Sequence, residues 1–313
     1  MAEKPTGPFK GVIAPVATPF DQDGAPDSAK FVEHATWLIE DGCHGLAPFG
    51  TTSEGNAIGL DERMELLEDL VEAGIEPKQL MPGTGMCSVA DTVMLNQHAV
   101  DLGCPGVLML PPFYYKNPSD EGLLRYFAEV IEQTDDDDLR IYLYHIPQMS
   151  SVGFSLDLIR RLREEFPDTV VGLKDSSGDW ANMQAMLDAF PGFDLFPGSE
   201  GYLLKGLQAG TAGVISASAN VNARSMRVVY DAWERGDVSA AEEEQVKVSA
   251  VRAGVQAHPL VPVVKAMIAH YRDDPMWAVP RPPLETLDAD VASAAIAALE
   301  DETGFRMRIS IGA

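Results

Sequence analysis

The chain has 313 residues, 46% of them hydrophobic, and a formal net charge of −25. It contains no apolar stretch near the roughly 18 residues that cross a bilayer, and so acidic a surface repels nucleic acid and anionic membranes. Three cysteines, Cys43, Cys87 and Cys104, form no CxxC pair, and six scattered histidines show no metal-ligand spacing, so neither a disulfide framework nor a metal is implied.

The acids are spread along the chain, and lysines number 9 against 14 arginines. Distributed acidity of this kind predicts adaptation to high salt, where screening removes the self-repulsion. The one dense run, Asp135-Asp136-Asp137-Asp138, reads as a solvated loop. The start, Met1-Ala2-Glu3-Lys4-Pro5, lacks the charged and apolar regions of a signal peptide, which predicts a cytoplasmic protein.

In chain order, short apolar runs at 11–16, 45–49, 79–83, 106–110, 140–145, 169–174, 194–197 and 212–216 alternate with amphipathic stretches. That alternation is the pattern of repeated βα units. Over 60–71, Leu60, Met64, Leu67, Leu70 and Val71 form one apolar stripe at helical spacing. Over 155–166, Leu158, Ile159, Leu162 and Phe166 do the same, with Ser155 placed to cap the start. Eight strands each followed by a helix predict an α/β fold, a (β/α)8 TIM barrel over 1–236. Residues 237–313 hold about three more helical segments and no clear strand. They read as a C-terminal helical extension packed on the barrel, broken at His258-Pro259-Leu260 and again at the proline-rich 279–283. An open doubly wound sheet would need a nucleotide fingerprint, and Gly83-Thr84-Gly85 lacks the third glycine.

A barrel of this kind keeps its chemistry at the C-terminal ends of its strands. The run Thr169-Val170-Val171-Gly172-Leu173-Lys174-Asp175-Ser176-Ser177 places a lysine at such an end. An amine among apolar walls favours its neutral form, which can add to a ketone and form a Schiff base. The plainer readings are a lysine that reaches out to solvent or pairs with Asp175. Gly50-Thr51-Thr52-Ser53-Glu54-Gly55 follows another strand and reads either as a carboxylate-binding hydroxyl cluster or as a helix-capping loop. Pro111-Pro112-Phe113-Tyr114-Tyr115-Lys116 is a stiff aromatic loop, fit for a site or an oligomer contact. In Tyr142-Leu143-Tyr144-His145-Ile146-Pro147, alternation puts both tyrosines on one face, with Tyr144 nearer the strand end.

Together these segments resemble the dihydrodipicolinate synthase/N-acetylneuraminate lyase family of pyruvate-dependent class I aldolases over about residues 8–235. The likeness rests on Gly11-Val12-Ile13-Ala14-Pro15-Val16-Ala17-Thr18-Pro19-Phe20, Gly50-Thr51-Thr52-Ser53-Glu54, Tyr144-His145-Ile146-Pro147, Gly172-Leu173-Lys174-Asp175-Ser176-Ser177-Gly178-Asp179 and Gly213-Val214-Ile215-Ser216. The resemblance implies that Lys174 forms the Schiff base with the keto acid, with no other cofactor, and that Tyr144 transfers the proton. It implies substrate-carboxylate and relay positions at Thr51 and Thr52, beside Gly50. It implies a second tyrosine, Tyr114 or its neighbour Tyr115, contributed across a subunit contact. Ile215 matches a backbone position lining the keto-acid pocket, and Gly198-Ser199-Glu200 matches substrate-contacting polar groups. A homotetramer acting on a small keto acid is the corresponding expectation.

Two departures bear on the substrate. The synthase branch carries an arginine soon after its equivalent of Tyr144-His145-Ile146-Pro147, whereas Gln148-Met149-Ser150-Ser151 supplies no cation here. A thioether cannot replace a charge-assisted bidentate contact to a carboxylate. His145 stands where the family usually has asparagine. The Lys174–Asp179 segment looks more like the sugar-acid aldolase branch. That favours 2-keto-3-deoxygluconate or its 6-phosphate, the latter if Lys116 reaches a phosphate. N-acetylneuraminate lyase, keto-deoxy sugar acid dehydratase and, less so, dihydrodipicolinate synthase are the enzymatic alternatives. A non-catalytic sugar-acid-binding protein is the alternative from another class.

Overall fold

A computed structural model describes residues 7–309; the five residues read for a signal peptide lie outside that range. The elements run β1 (Gly11–Ala14), α1 (Ser28–Glu40), β2 (Gly45–Leu46), α2 (Leu60–Glu72), α3 (Val89–Asp101), β3 (Val107–Met109), α4 (Asp120–Thr134) and β4 (Ile141–His145). They continue with α5 (Pro147–Ser150), α6 (Leu156–Glu165), β5 (Val170–Asp175), α7 (Trp180–Ala189), β6 (Asp194–Pro197), α8 (Leu203–Ala209), β7 (Gly213–Ile215) and α9 (Ala219–Glu234). Helices α10 (Val238–Gln256), α11 (Leu260–Arg272) and α12 (Ala289–Thr303) close the chain.

The strands are parallel, in the orders β2-β1-β7 and β3-β4-β5-β6. What joins the two sheets is the segment predicted as the third strand, which makes only single bridges, Leu80 to Leu46 and Gly83 to Leu108. Pro82 lies between them and has no N–H to give a ladder, which is why the segment falls short of a strand. On the other side, the Ala212 N–H donates to the Leu195 carbonyl at 3.0 Å and completes the ring. The fold is therefore an α/β TIM barrel with C-terminal helices.

Several strands are shorter than their apolar runs. The run at 45–49 leaves the ladder after Leu46, before Pro48 and a left-handed Phe49 at φ 64°. The run at 106–110 stops at Met109, ahead of Pro111-Pro112. On α2 the buried face holds Leu66, Leu67, Leu70 and also Arg63. Periodicity alone misses Arg63, whose guanidinium is buried because it donates to the carbonyls of Gly55 and Ile58. On α6 the Ser155 hydroxyl accepts the Leu158 N–H at 3.0 Å, the cap expected from sequence.

Side chains divide cleanly by strand alternation. Ile13, Met81, Leu108, Tyr142, Tyr144, Phe196 and Ile215 fill the barrel. Leu143, Leu173, Leu195 and Val214 point outward to the helices. Helix α10 packs on α8, α9 and α12, and α11 packs on α9 and α12.

Candidate active site

Residues Gly172 and Lys174 share the inner face of β5, and Tyr144 lies directly across from Lys174 in the β4–β5 register. At Gly172 a Cβ would stand 2.4 Å from the Tyr142 ring, so only glycine lets that ring pack under the lysine. Lys174 is 4% exposed, and its Nζ sits 4.3 Å from the centroid of the Tyr144 ring. The Tyr144 hydroxyl is 3.1 Å from Thr51 Oγ1, a hydrogen bond that either group can donate. Asp175 faces the other way. Its carboxylate accepts from the Ser177 N–H at 2.7 Å and from Asn182 Nδ2 at 2.8 Å. Lys174 thus neither pairs with Asp175 nor reaches bulk solvent, which removes both plainer readings of this lysine.

These groups line the inner end of a cavity of about 800 Å³, together with Thr52 and Ile215. One side of the cavity is apolar, formed by Ile146, Met149, Leu260 and Val261. The segment from Pro283 to Asp288 lines it as well and carries Glu285 and Asp288. A second, more polar cavity of about 430 Å³ adjoins it and includes Ser177, Ser199 and Ser249. Gln148, Ser176, Gly198 and Arg252 line both. Gly198 is needed at this junction because a Cβ there would come 2.1 Å from Ser176 Oγ.

Other candidates fall outside the walls. Gly50 is buried behind the loop, where its carbonyl accepts the Gly55 N–H at 3.0 Å. Glu200 is buried beside Ser216, which donates to it, and Arg252 Nη1 lies 3.5 Å from the same carboxylate. Tyr114 and Tyr115 are 72% and 78% exposed, stacked edge-on at 5.3 Å, and line neither cavity of their own chain. Lys116 Nζ donates to the carbonyls of Phe113 at 2.5 Å and Ser150 at 3.3 Å. His145 points outward from β4, and its Nδ1 accepts the Phe154 N–H at 3.1 Å. Burial lowers its pKa, an effect that the nearby Asp175 opposes. His145 thus ties the strand end to the chain entering α6 and takes no place in the cavity.

Arg252 is the cavity-lining side chain that sequence reasoning missed. It comes from α10, in a stretch read only as helical packing, and helical periodicity does not say which charged residue turns inward. Among the described residues, no group of three or more His, Cys, Asp and Glu side chains is placed to hold a metal ion.

An amine presented to a keto acid inside a closed barrel defines a class, the pyruvate-dependent class I aldolases, which are carbon–carbon lyases. The Dihydrodipicolinate synthetase family matches residues 8–302, and the chain belongs to that family. A DapA-like lyase of Chloroflexus aurantiacus, itself uncharacterized, is 34% identical over 286 residues, 91% of this chain and 94% of that one. The 4-hydroxy-tetrahydrodipicolinate synthase of Rhizobium meliloti is 32% identical, covering 93% of this chain and 97% of its own length. Among solved structures, dihydrodipicolinate synthase from Agrobacterium tumefaciens superposes with a TM-score of 0.86 at 30% identity, covering 95% of this chain and all of the other. YagE from E. coli, crystallised in complex with pyruvate, gives 0.85 at 26% identity, covering 94% and 98%.

Proposed function

We propose that the chain cleaves an unphosphorylated 2-keto-3-deoxy sugar acid, with 2-keto-3-deoxygluconate as the reference substrate, to pyruvate and an aldehyde. The observation that carries this reading is the line Lys174–Tyr144–Thr51 on the wall of the cavity. Lys174 Nζ adds to C2 of the keto acid, and loss of water gives an iminium. Tyr144, bonded to Thr51, takes the proton from the C4 hydroxyl. The C3–C4 bond then breaks, its electron pair passing into an enamine as the aldehyde leaves. Tyr144 returns that proton to C3 of the enamine, and hydrolysis of the imine releases pyruvate and restores the amine, so the lysine is the only covalent partner. Thr51 and Thr52, both on the wall, serve the substrate carboxylate.

Three features support an unphosphorylated sugar acid, two of them against the second substrate of the synthase and one against a phosphate ester. Met149, 63% exposed at the cavity, offers nothing to a carboxylate. The adjoining cavity offers hydroxyl and amide groups from Ser176, Ser177, Ser199, Ser249 and Gln148, which suit a polyhydroxylated tail. Arg252 already faces Glu200, and Lys116 is held by two backbone carbonyls, so neither is a free cation for a phosphate.

The test is pyruvate release across 2-keto-3-deoxygluconate, its C4 epimer, its 6-phosphate and N-acetylneuraminate, with condensation of pyruvate and aspartate semialdehyde run alongside. The unphosphorylated six-carbon acids should give the highest kcat/KM. A higher value for the 6-phosphate, for N-acetylneuraminate or for the condensation would overturn the assignment.

A further inference from the structure

Glu54 ends the hydroxyl loop but does not line the cavity. One carboxylate oxygen accepts from Lys265 Nζ at 2.6 Å, across 211 residues of chain. The other accepts the Arg281 N–H at 2.7 Å, across 227 residues. Both charged side chains are sealed from solvent, Lys265 at 0% and Glu54 at 1% exposure. Lys265 also donates to the Thr18 carbonyl at 2.8 Å, and the Thr18 hydroxyl donates to the Ser53 carbonyl at 2.8 Å. Arg281 reaches the Ala57 carbonyl at 2.9 Å and pairs with Glu62. Arg63 holds the same turn from α2 through the Gly55 and Ile58 carbonyls.

The turn needs no such clamp in order to close. Its own backbone bonds, Glu54 N–H to Thr51 and Gly55 N–H to Gly50, already close it. A fully buried ion pair loses much hydration, and apolar residues of similar volume stabilise a core as well or better. Its use here therefore calls for a role in geometry. The two anchors also lie on segments that line the cavity. Leu260 and Val261 lie one turn before Lys265 on α11, and Pro283 to Asp288 begin two residues after Arg281.

We infer that Lys265 and Arg281, acting through Glu54, are positioning residues that hold the Thr51–Thr52 turn in register with Tyr144 and fix the cavity-lining segments beside them to the same point. The C-terminal extension thereby sets the geometry of the proton relay that the barrel supplies. This rests on the Schiff-base chemistry of Lys174 and not on which keto acid is cleaved.

The experiment follows exchange of the C3 protons of pyruvate in D2O, which needs iminium, enamine and relay but no aldehyde. It compares the wild type with Lys265→Met and with the double variant Glu54→Gln/Lys265→Met, alongside melting temperature and end-point borohydride trapping at Lys174. The single variant strands a buried carboxylate, while the double variant leaves no charge unpaired. The double variant is expected to keep a melting temperature near that of the wild type and full end-point trapping. Its exchange should nevertheless fall roughly ten- to a hundredfold, because small misplacements of a relay slow proton transfer. If Lys265→Met does not fold, Glu54→Gln alone, equal in shape and still able to accept from Arg281, should show the same fall. Wild-type exchange rates in a folded double or Glu54→Gln variant would overturn the inference and leave the Schiff base intact. No exchange in the wild type would remove both.

Discussion

Lys174 and Tyr144 meet because β4 and β5 pair them side by side on the inner face, so the amine gains an aromatic partner and no carboxylate. Both residues were legible in the sequence. The lysine closes an apolar run and is followed by turn formers, and the alternation of Tyr142 and Tyr144 fixes their common face. Arg252, Lys265 and Glu54 were not legible as site residues, since each acts through contacts between segments far apart in the chain. Two histidines, His34 and the half-buried His44, give a prediction of their own. His34 is enclosed by Trp37, Trp277, Asn220 and Arg272. Burial, reinforced by the Arg272 charge, lowers its pKa to about 3, and burial lowers that of His44 to about 4. Each folded-state value lies below the unfolded one, so the stabilisation is complete above about pH 6.5 and is lost as pH falls toward the folded value. Between about pH 7.5 and about pH 5, His34 alone should remove about 2 kcal/mol, at roughly 1.4 kcal/mol per pH unit below its unfolded pKa. Urea midpoints of the wild type and His34→Gln at the two pH values check this. An equal loss in both proteins would contradict it.

Among the elements, the βα alternation was readable because each apolar run and each amphipathic stripe is a local pattern. Where the sequence misled, local stereochemistry explains the difference. Pro82 reduced the third strand to isolated bridges, and Pro48 with Phe49 ended β2 early. The early exit of β2 is also what frees the chain to form the hydroxyl loop beneath Tyr144. Helices α10 and α11 were expected as packing. They also bring Arg252, Leu260 and Val261 to the cavity, and on α10 the polar and apolar faces blend too gradually for a sequence pattern to mark Arg252.

The assembled molecule unites a ring of parallel strands, a cavity at its C-terminal end and a surface carrying a net charge of −25. We propose that this charge reflects a high-salt setting, and it predicts a salt dependence of definite sign. Surface ion pairs such as Arg160–Asp157 and Arg161–Glu121 weaken with salt, but acids outnumber bases by 25, so relief of repulsion should prevail. From about 0.1 M to about 1 M salt the screening length shrinks from roughly 10 Å to roughly 3 Å, and the melting temperature should rise. A flat or falling melting temperature would sink the high-salt reading and leave the chemistry untouched. We propose a homo-oligomer as well, since the exposed Tyr114–Tyr115 pair lines no cavity of its own chain.

Reduction with borohydride in the presence of pyruvate, followed by peptide mass analysis, tests the chemistry at its source. One covalent pyruvate-derived adduct per chain, located on Lys174 and absent from Lys174→Ala, is the predicted result. An unmodified Lys174, or an adduct on another lysine such as Lys116, would mean that this cavity does not work through an imine.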